Sequence, residues 1–360
     1  MAKKKQIAII GCGTIANSAH IPSYLKNDNC EIKYFCDIIP ERADEMVKKY
    51  GCGKAVYDHH EILDDPDLDA VSVCTPNKAH TEISINFLRA GKDVLCEKPA
   101  ARVYEQALEM QKVQHETGKI LNIGVVNRFN TAVNRIKKLI DDGVLGEVYH
   151  VYVSFRAARS IPGLGGAFTT NEIAGGGALI DWGVHYLDIV MYCCGDPNPL
   201  TASGKAFCKL GKDMKNYTYT SMWAGPPKYD GVYDVDDSVT AFIRTEGPTI
   251  TLNGAWAQNV FESEQYIDFL GDKGGIRLQY GGDFTLYTTN DGMLQEIKSQ
   301  FQSTPMFENE INGFLAAIDS REKLPSHIDN AVLTSKIMQA IYDSSATGKE
   351  VDITAYPNCD

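Results

Sequence analysis

No apolar run in this 360-residue sequence approaches the ~18 residues that a bilayer-spanning helix needs, so no membrane span is expected. Positive charge is scarce. Thirty-five Lys and Arg stand against 47 Asp and Glu, for a net charge of −12. A nucleic-acid surface wants a basic face, and this balance argues against one. The one basic run, Lys3-Lys4-Lys5, reads as a solvated leader to a first strand. The apolar stretch after it is short and stops at a glycine, which is no secretory signal. The ten cysteines form no C-x-x-C pair and no metal-type spacing, so no metal site is expected. Cys36, Cys74, Cys96, Cys193 and Cys194 fall inside apolar runs, where a thiol acts as a small hydrophobe. This usage predicts a reducing, cytoplasmic setting. Internal repeats and low-complexity segments are missing too.

What remains is the composition of a globular protein, 44% hydrophobic and 23% charged. Its length suits two domains. The first third alternates strand and helix. Apolar runs end at Ile10, Cys36, Cys74, Cys96 and Gly124, with a weaker one near Val56, and helical patterns lie near 14–26, 41–50, 77–90 and 103–117. That alternation predicts a doubly wound parallel sheet. After about residue 125 the pattern changes. A helix near 131–142 leads to a strand at 147–155, a Gly-rich loop (162–177) and an apolar helix (178–194). Alternating runs at 238–244, 249–256 and 266–270 follow, then helices near 306–319 and 327–345. This half reads as an α/β domain with a large, mainly antiparallel sheet. The expected boundaries are 1–125 and 126–360. The segment 223–237 reads as a long loop.

Gly11-Cys12-Gly13-Thr14-Ile15-Ala16 follows the run Gln6-Ile-Ala-Ile-Ile10 and opens a helix. Strand, glycine turn and helix start are what a dinucleotide pyrophosphate needs. Gly11 makes the tight turn, Gly13 lets the backbone approach the phosphates, and Ala16 permits close packing of helix on strand. The helix start offers N–H groups to the anion. Asp37 closes the second strand, where a carboxylate can bind ribose hydroxyls and repel a 2′-phosphate, so NAD is favoured over NADP. Arg42 is near enough to soften that preference, although the outer face of its helix is the expected place for it. Thr75-Pro-Asn77-Lys-Ala-His80 places Asn77 and a helix start beside the cofactor, and Asn77 also suits a helix cap. Gly11, Asp37, Thr75 and Glu97 all fall at carboxyl ends of strands, where such sheets carry their sites, and with Asn77, His80, Lys98 and Asn127 they are the candidate cofactor contacts.

Glu97-Lys98-Pro99 follows the strand Asp93-Val-Leu-Cys96. Pro99 fixes the backbone and can adopt a cis bond. A desolvated Lys98 can exchange protons near neutral pH. Asp181-Trp-Gly-Val-His185 lies in the apolar helix, so Asp181, His185 and Asp188 form its single polar stripe. A carboxylate beside an imidazole is a proton-handling pair. Asn127 and Arg128 follow the last strand of the first half, and Arg128 is a candidate for substrate oxygen. Arg156, Arg159 and Tyr152 are candidate substrate contacts. Trp223, Trp256 and the tyrosines of 217–233 are candidates to stack on a sugar ring.

Gly11-x-Gly13-x-x-Ala16, Thr75-Pro-Asn77-x-x-His80, Glu97-Lys98-Pro99, Gly175-Gly-Gly177 and Asp181-x-Gly-x-His185 together resemble the Gfo/Idh/MocA (glucose-fructose oxidoreductase / inositol dehydrogenase / rhizopine-catabolism) oxidoreductase family. The resemblance implies a Rossmann domain and an α/β domain whose open sheet often makes subunit contacts, hence a homo-oligomer. It implies NAD or NADP, and hydride transfer at a carbinol carbon of a sugar, cyclitol or related polyol. By motif match Lys98, Asp181 and His185 form the catalytic set, with the base role open between Lys98 and His185. The substrate leaning is a pyranose or glycoside oxidised at carbon 3. The alternatives are an inositol or polyol dehydrogenase, an NAD-using glycosidase, and a non-catalytic NAD-binding regulator.

Overall fold

Short β-branched apolar runs between Gly- and Asp-containing turns build the first sheet. The computed structural model describes residues 3–359. In chain order the strands are β1 (Lys5–Ile10), β2 (Cys30–Cys36), β3 (Lys54–Val56), β4 (Ala70–Val73), β5 (Asp93–Glu97), β6 (Leu121–Gly124), β7 (Val148–Arg156), β8 (Pro199–Phe207), β9 (Ser238–Thr245), β10 (Thr249–Ala255), β11 (Glu264–Gly271), β12 (Gly274–Gln279), β13 (Phe284–Asn290), β14 (Met293–Lys298) and β15 (Val351–Asp352). The helices are α1 (Ile21–Leu25), α2 (Pro40–Tyr50), α3 (Asn77–Arg89), α4 (Tyr104–Thr117), α5 (Thr131–Asp141), α6 (Asn171–Ala174), α7 (Val184–Cys193), α8 (Met306–Ser320) and α9 (Ile328–Thr347).

The chain divides into two compact units. The first holds the described residues up to Phe129, Thr304–Val332 and Cys359; the second holds Asn130–Ser303 and Leu333–Asn358. In the first unit six parallel strands run in the order β3-β2-β1-β4-β5-β6. Strand order reverses between β1 and β4, and ligands of such sheets bind in the crevice beyond the strand ends there. The expected boundary at residue 125 is corrected in one respect. Residues 304–332 pack with the first unit, because Ile311, Phe314, Leu315 and Ile318 of α8 recur at helical spacing and fill a core with Ile21, Tyr24 and Phe35.

The second unit is built on nine strands in the order β14-β13-β12-β11-β7-β10-β9-β8-β15. All neighbours are antiparallel except β7 and β10. Its core joins Val151, Val153 and Phe155 of β7 to Leu187 and Val190 of α7 and Ile337 and Ile341 of α9. The irregular stretch between β8 and β9 spans 208–237, longer than expected. It carries its own small core, with Tyr217 and Val235 packed on Trp256, Ile161 and Leu164. Among the described residues no helix is long and apolar enough to cross a membrane.

Candidate active site

The turn after β1 is held from three sides. The Gly11 amide donates to the Cys36 carbonyl (2.8 Å), the Cys74 amide donates to the Ile10 carbonyl (2.7 Å), and the Cys12 amide donates to Asp37 Oδ2 (2.9 Å). Gly11 has φ +93°, and a Cβ there would stand 2.7 Å from the Cys74 carbonyl group and 2.9 Å from the Thr75 nitrogen. Only glycine fits so close to β4. Gly13 differs, because a Cβ there would meet nothing within 4 Å. Ala16 is fully buried. Thr14 and Ile15 begin the helix, which widens into a π-turn over Ala16–His20 before α1. Such turns are frequent at functional sites.

Asp37 lies one residue past β2. Its Oδ1 accepts from the Ile39 amide (2.9 Å), and its Oδ2 takes the Cys12 amide. A carboxylate offers about four lone-pair sites, so these two bonds fix it and leave acceptor capacity for ribose hydroxyls. Arg42 is exposed on α2. Burial, with the Asp37 charge adding, pushes the Cys12 thiol up to about 12, so it stays neutral beside the turn. The Thr75 hydroxyl is buried at the end of β4 with no hydrogen-bond partner. The open space at Gly13, this orphaned hydroxyl and the fixed carboxylate fit a dinucleotide. Gly11 to Ala16, Asp37 and Thr75 would hold it.

Three neighbours correct the sequence reading. Asn77 does not cap α3; Pro76 is the cap residue and Asn77 the first helical residue. His80 is buried with Nδ1 2.8 Å from the Pro99 carbonyl and Nε2 2.9 Å from the Thr75 carbonyl. Both ring nitrogens are thus spent tying two strand-end loops together, and burial pushes this imidazole down against the pull of the carbonyls. Glu97, also buried, accepts from His20 Nε2 (2.8 Å) and from the Lys98 amide (3.1 Å). Burial pushes its carboxyl up, but the His20 bond and charge, with Lys98, outweigh this and hold it below the usual range. His80 and Glu97 therefore brace the loops. Sequence reasoning missed His20, whose other nitrogen meets Ser72 Oγ (3.2 Å), itself bonded to the Tyr24 hydroxyl (2.8 Å). The only signal was a histidine in an apolar helical stretch.

Lys98 follows β5 directly and is half-buried; its bond to Pro99 is cis. Asn127 and Arg128 are buried in a 3-10 turn after β6. Arg128 is only 1% exposed, and its Nη1 donates to the Pro325 carbonyl (2.9 Å). That bond commits one guanidinium nitrogen to the backbone of the first unit.

In the second unit Asp181 sits in a π-turn (Leu179–Gly183), and His185 in the first turn of α7. The sequence predicted one regular helix. Both residues are half-buried, whereas Asp188 is buried. Trp256 Nε1 donates to Asp181 Oδ2 (3.2 Å). Trp256 is 0% exposed, so it holds the carboxylate rather than stacking on a ligand, which corrects that expectation. Trp223 remains 60% exposed and stands edge-on to Phe168. The start of the Asp181 helix is held by Asp236, a residue sequence reasoning missed although Asp236-Asp237 directly precedes β9. Its carboxylate accepts from the Gly177 amide (2.8 Å), the Leu179 amide (2.9 Å) and the Tyr342 hydroxyl (2.7 Å). A Cβ on Gly177 would stand 1.8 Å from the Asp236 carbonyl oxygen.

Arg156 Nε donates to Gln258 Oε1 (3.1 Å), and its Nη1 lies 3.4 Å from Glu264 Oε2, so it serves the sheet. Tyr152 is exposed beside His150. Arg159 donates to the Gln258 carbonyl (2.9 Å) and Asn259 Oδ1 (2.6 Å). It lines a cavity of about 460 Å³ with Tyr219, Thr218 and Thr220. Among the described residues, Asp58, His59 and His60 place possible metal-ligand atoms within 4.8 Å of one another, a cluster the cysteine-based reading did not consider. Asp58 there caps a 3-10 turn, accepting from the His60 amide.

A glycine turn at the switch point of a six-stranded parallel sheet, with an acid at the end of β2, defines a dinucleotide-binding oxidoreductase fold. Residues 5–125 match the "Oxidoreductase family, NAD-binding Rossmann fold", and residues 133–277 match the "GFO/IDH/MocA C-terminal domain". The sequence is 31% identical over 353 residues to D-glucoside 3-dehydrogenase of Escherichia coli (strain K12), covering 97% of each chain. It is 24% identical over 352 residues to inositol 2-dehydrogenase of Rhizobium meliloti (strain 1021), covering 97% of this chain and 99% of that one. Levoglucosan dehydrogenase in complex with NADH and levoglucosan shares the fold at a TM-score of 0.82 and 21% identity, over 98% of this chain and 100% of that one. The chain belongs to the Gfo/Idh/MocA family of oxidoreductases, and its first unit is an NAD-binding domain.

Proposed function

We propose that this protein is an NAD-dependent dehydrogenase that oxidises a ring secondary hydroxyl of a sugar or glycoside, carbon 3 of a pyranose, to the ketone. The observation that carries the chemistry is the Asp181–His185 pair. In a helix otherwise packed into the core, these two polar residues keep solvent access, and the carboxylate is held by the Trp256 indole. A polar pair in such a place needs partners or a task. The leaning to glycosides is supported by the 31% identity to D-glucoside 3-dehydrogenase.

In this reading His185 takes the hydroxyl proton, and Asp181 orients its ring and stabilises the imidazolium. Lys98, which follows β5 in the NAD-binding unit, is the third member of the proposed set and donates a hydrogen bond that stabilises alkoxide character. NAD, when bound, supplies the hydride acceptor. The experiment is a nicotinamide absorbance assay over free pyranoses, alkyl and aryl glucosides and inositols, with product analysis for ketones. Reduction with glucosides, yielding the 3-keto product, is expected. Turnover confined to inositols would overturn the substrate assignment, and silence with NAD bound would favour a regulator.

Asp37 is proposed to set the NAD preference. Asp37→Ser is expected to narrow the ratio of kcat/KM for NAD over NADP by roughly 10-fold, because it removes the charge that repels a 2′-phosphate. A wild-type preference for NADP, or an unchanged ratio in the variant, would count against this role.

A further inference from the structure

The chain's cysteines differ sharply in their surroundings. Burial is the largest cause that pushes Cys12, Cys36, Cys96 and Cys194 up to about 12 and Cys30 up to about 11, and it raises Cys52, Cys74 and Cys208 as well. Such thiols stay protonated and inert at neutral pH. Cys359 has another kind of neighbour. Its Sγ lies 3.3 Å from Nδ1 of His115, on α4. Nε2 of the same ring donates to Asp329 Oδ1 at 2.8 Å, in the first turn of α9. All three residues belong to the first unit.

The polarity of this chain of contacts is fixed by Asp329. Its Oδ1 also accepts from Gln111 Nε2 (2.9 Å); its Oδ2 accepts from Lys323 Nζ (2.6 Å) and lies 3.2 Å from His327 Nδ1. The His327 contact first, with Gln111, Lys323 and His115 adding, holds this carboxyl far below the usual range against the opposing effect of burial. An ionised carboxylate only accepts, so His115 Nε2 carries a proton and Nδ1 faces the sulfur as an acceptor. Tyr104 of α4 is a further titratable group near this thiol. A thiol hydrogen-bonded to an imidazole that a carboxylate orients is the arrangement that turns a cysteine into a nucleophile. The His115 side chain is 39% exposed and Cys359 is half-buried, so a solute can reach them.

We propose that Cys359, His115 and Asp329 form a second reactive centre, at which Cys359 attacks low-molecular-weight disulfides and is converted to a mixed disulfide. The thiol proton passes to His115 Nδ1. The Cys359 sulfur bonds to one sulfur of the disulfide, the original S–S bond breaks, and the other half leaves as a thiolate that takes the proton back from the imidazolium. The Cys359 sulfur is oxidised and the departing sulfur is reduced, with no further oxidant.

The test mixes the native full chain, near neutral pH, with the aromatic disulfide dithiobis(nitrobenzoate). The released thiolate is followed by absorbance, and the adduct is located by peptide mass spectrometry. One thiol per chain is expected in a fast phase, roughly 10-fold or more faster than an unperturbed cysteine peptide. The adduct should sit on Cys359, and the rate should titrate with a midpoint below the ~8.5 of an ordinary thiol. His115→Gln should slow the fast phase to the peptide rate and return the midpoint to ~8.5. An adduct on another cysteine, a peptide-like rate for Cys359, or a rate indifferent to His115→Gln would overturn the proposal. Mapping on the wild-type chain keeps the test independent of how any variant folds.

Discussion

Alanine at Lys98 or at His185 is expected to lower turnover by roughly 100-fold or more, the usual contribution of one positioned acid–base group. That corresponds to about 2.7 kcal/mol of lost transition-state stabilisation. The two side chains are delivered differently. Lys98 directly follows β5, on a loop that the Glu97–His20 and His80–Pro99 contacts brace. His185 stands in the first turn of α7, behind a helix start that Asp236 holds through two amides. His185→Ala should leave NAD affinity within a few-fold of wild type, since the residues that fit the nucleotide lie around the β1 turn. Asp181→Asn is the informative companion. An amide oxygen can still accept from Trp256 Nε1, so the geometry survives, while the charge that favours the imidazolium is lost. The measurement is kcat and KM for a glucoside under saturating NAD. Near-normal turnover in either alanine variant removes that residue from the mechanism.

Gly11 and Gly13, two glycines of one turn, should fail in opposite ways. Gly11→Ala forces a Cβ to 2.7 Å from the Cys74 carbonyl group at a φ of +93°, and nothing there but backbone can yield. Overpacking of this kind typically costs 1–3 kcal/mol, with positive-φ strain added. A clear fall in unfolding temperature is therefore expected even without NAD. Gly13→Ala has free space around it and no positive φ, so the apo protein should melt as wild type does. The added methyl group occupies the space through which the pyrophosphate approaches the backbone. NAD affinity should then drop by roughly 10-fold or more, taking one lost close contact as about 1.4 kcal/mol. Thermal unfolding of both apo variants and NAD titration of Gly13→Ala check this. Unchanged NAD binding in Gly13→Ala would show that the phosphates lie elsewhere.

The parallel sheet was legible because its strands are brief, β-branched and separated by turn residues and amphipathic helices. Periodicity reports such local facts directly. The placement of Gly11, Asp37, Thr75 and Glu97 at strand ends follows from the same pattern. The roles of individual polar side chains were not legible in this way. His80 and Glu97 look like ligand contacts in sequence, yet both His80 ring nitrogens face the Thr75 and Pro99 carbonyls, and each Glu97 oxygen accepts from within the fold, from His20 and the Lys98 amide. Arg128 looks like a substrate cation and is buried on the Pro325 carbonyl. Trp256 looks like a sugar platform and is the indole that holds Asp181.

The order of strands and helices, the glycine turn and the acid that follows β2 were determined by the chain's own local chemistry, since each depends on residues near one another in sequence. Which polar groups face a neighbour and which remain available was decided only by tertiary packing. A buried donor or acceptor must find its partner wherever the fold brings one, and for His20 that partner is 77 residues away and for Trp256 75.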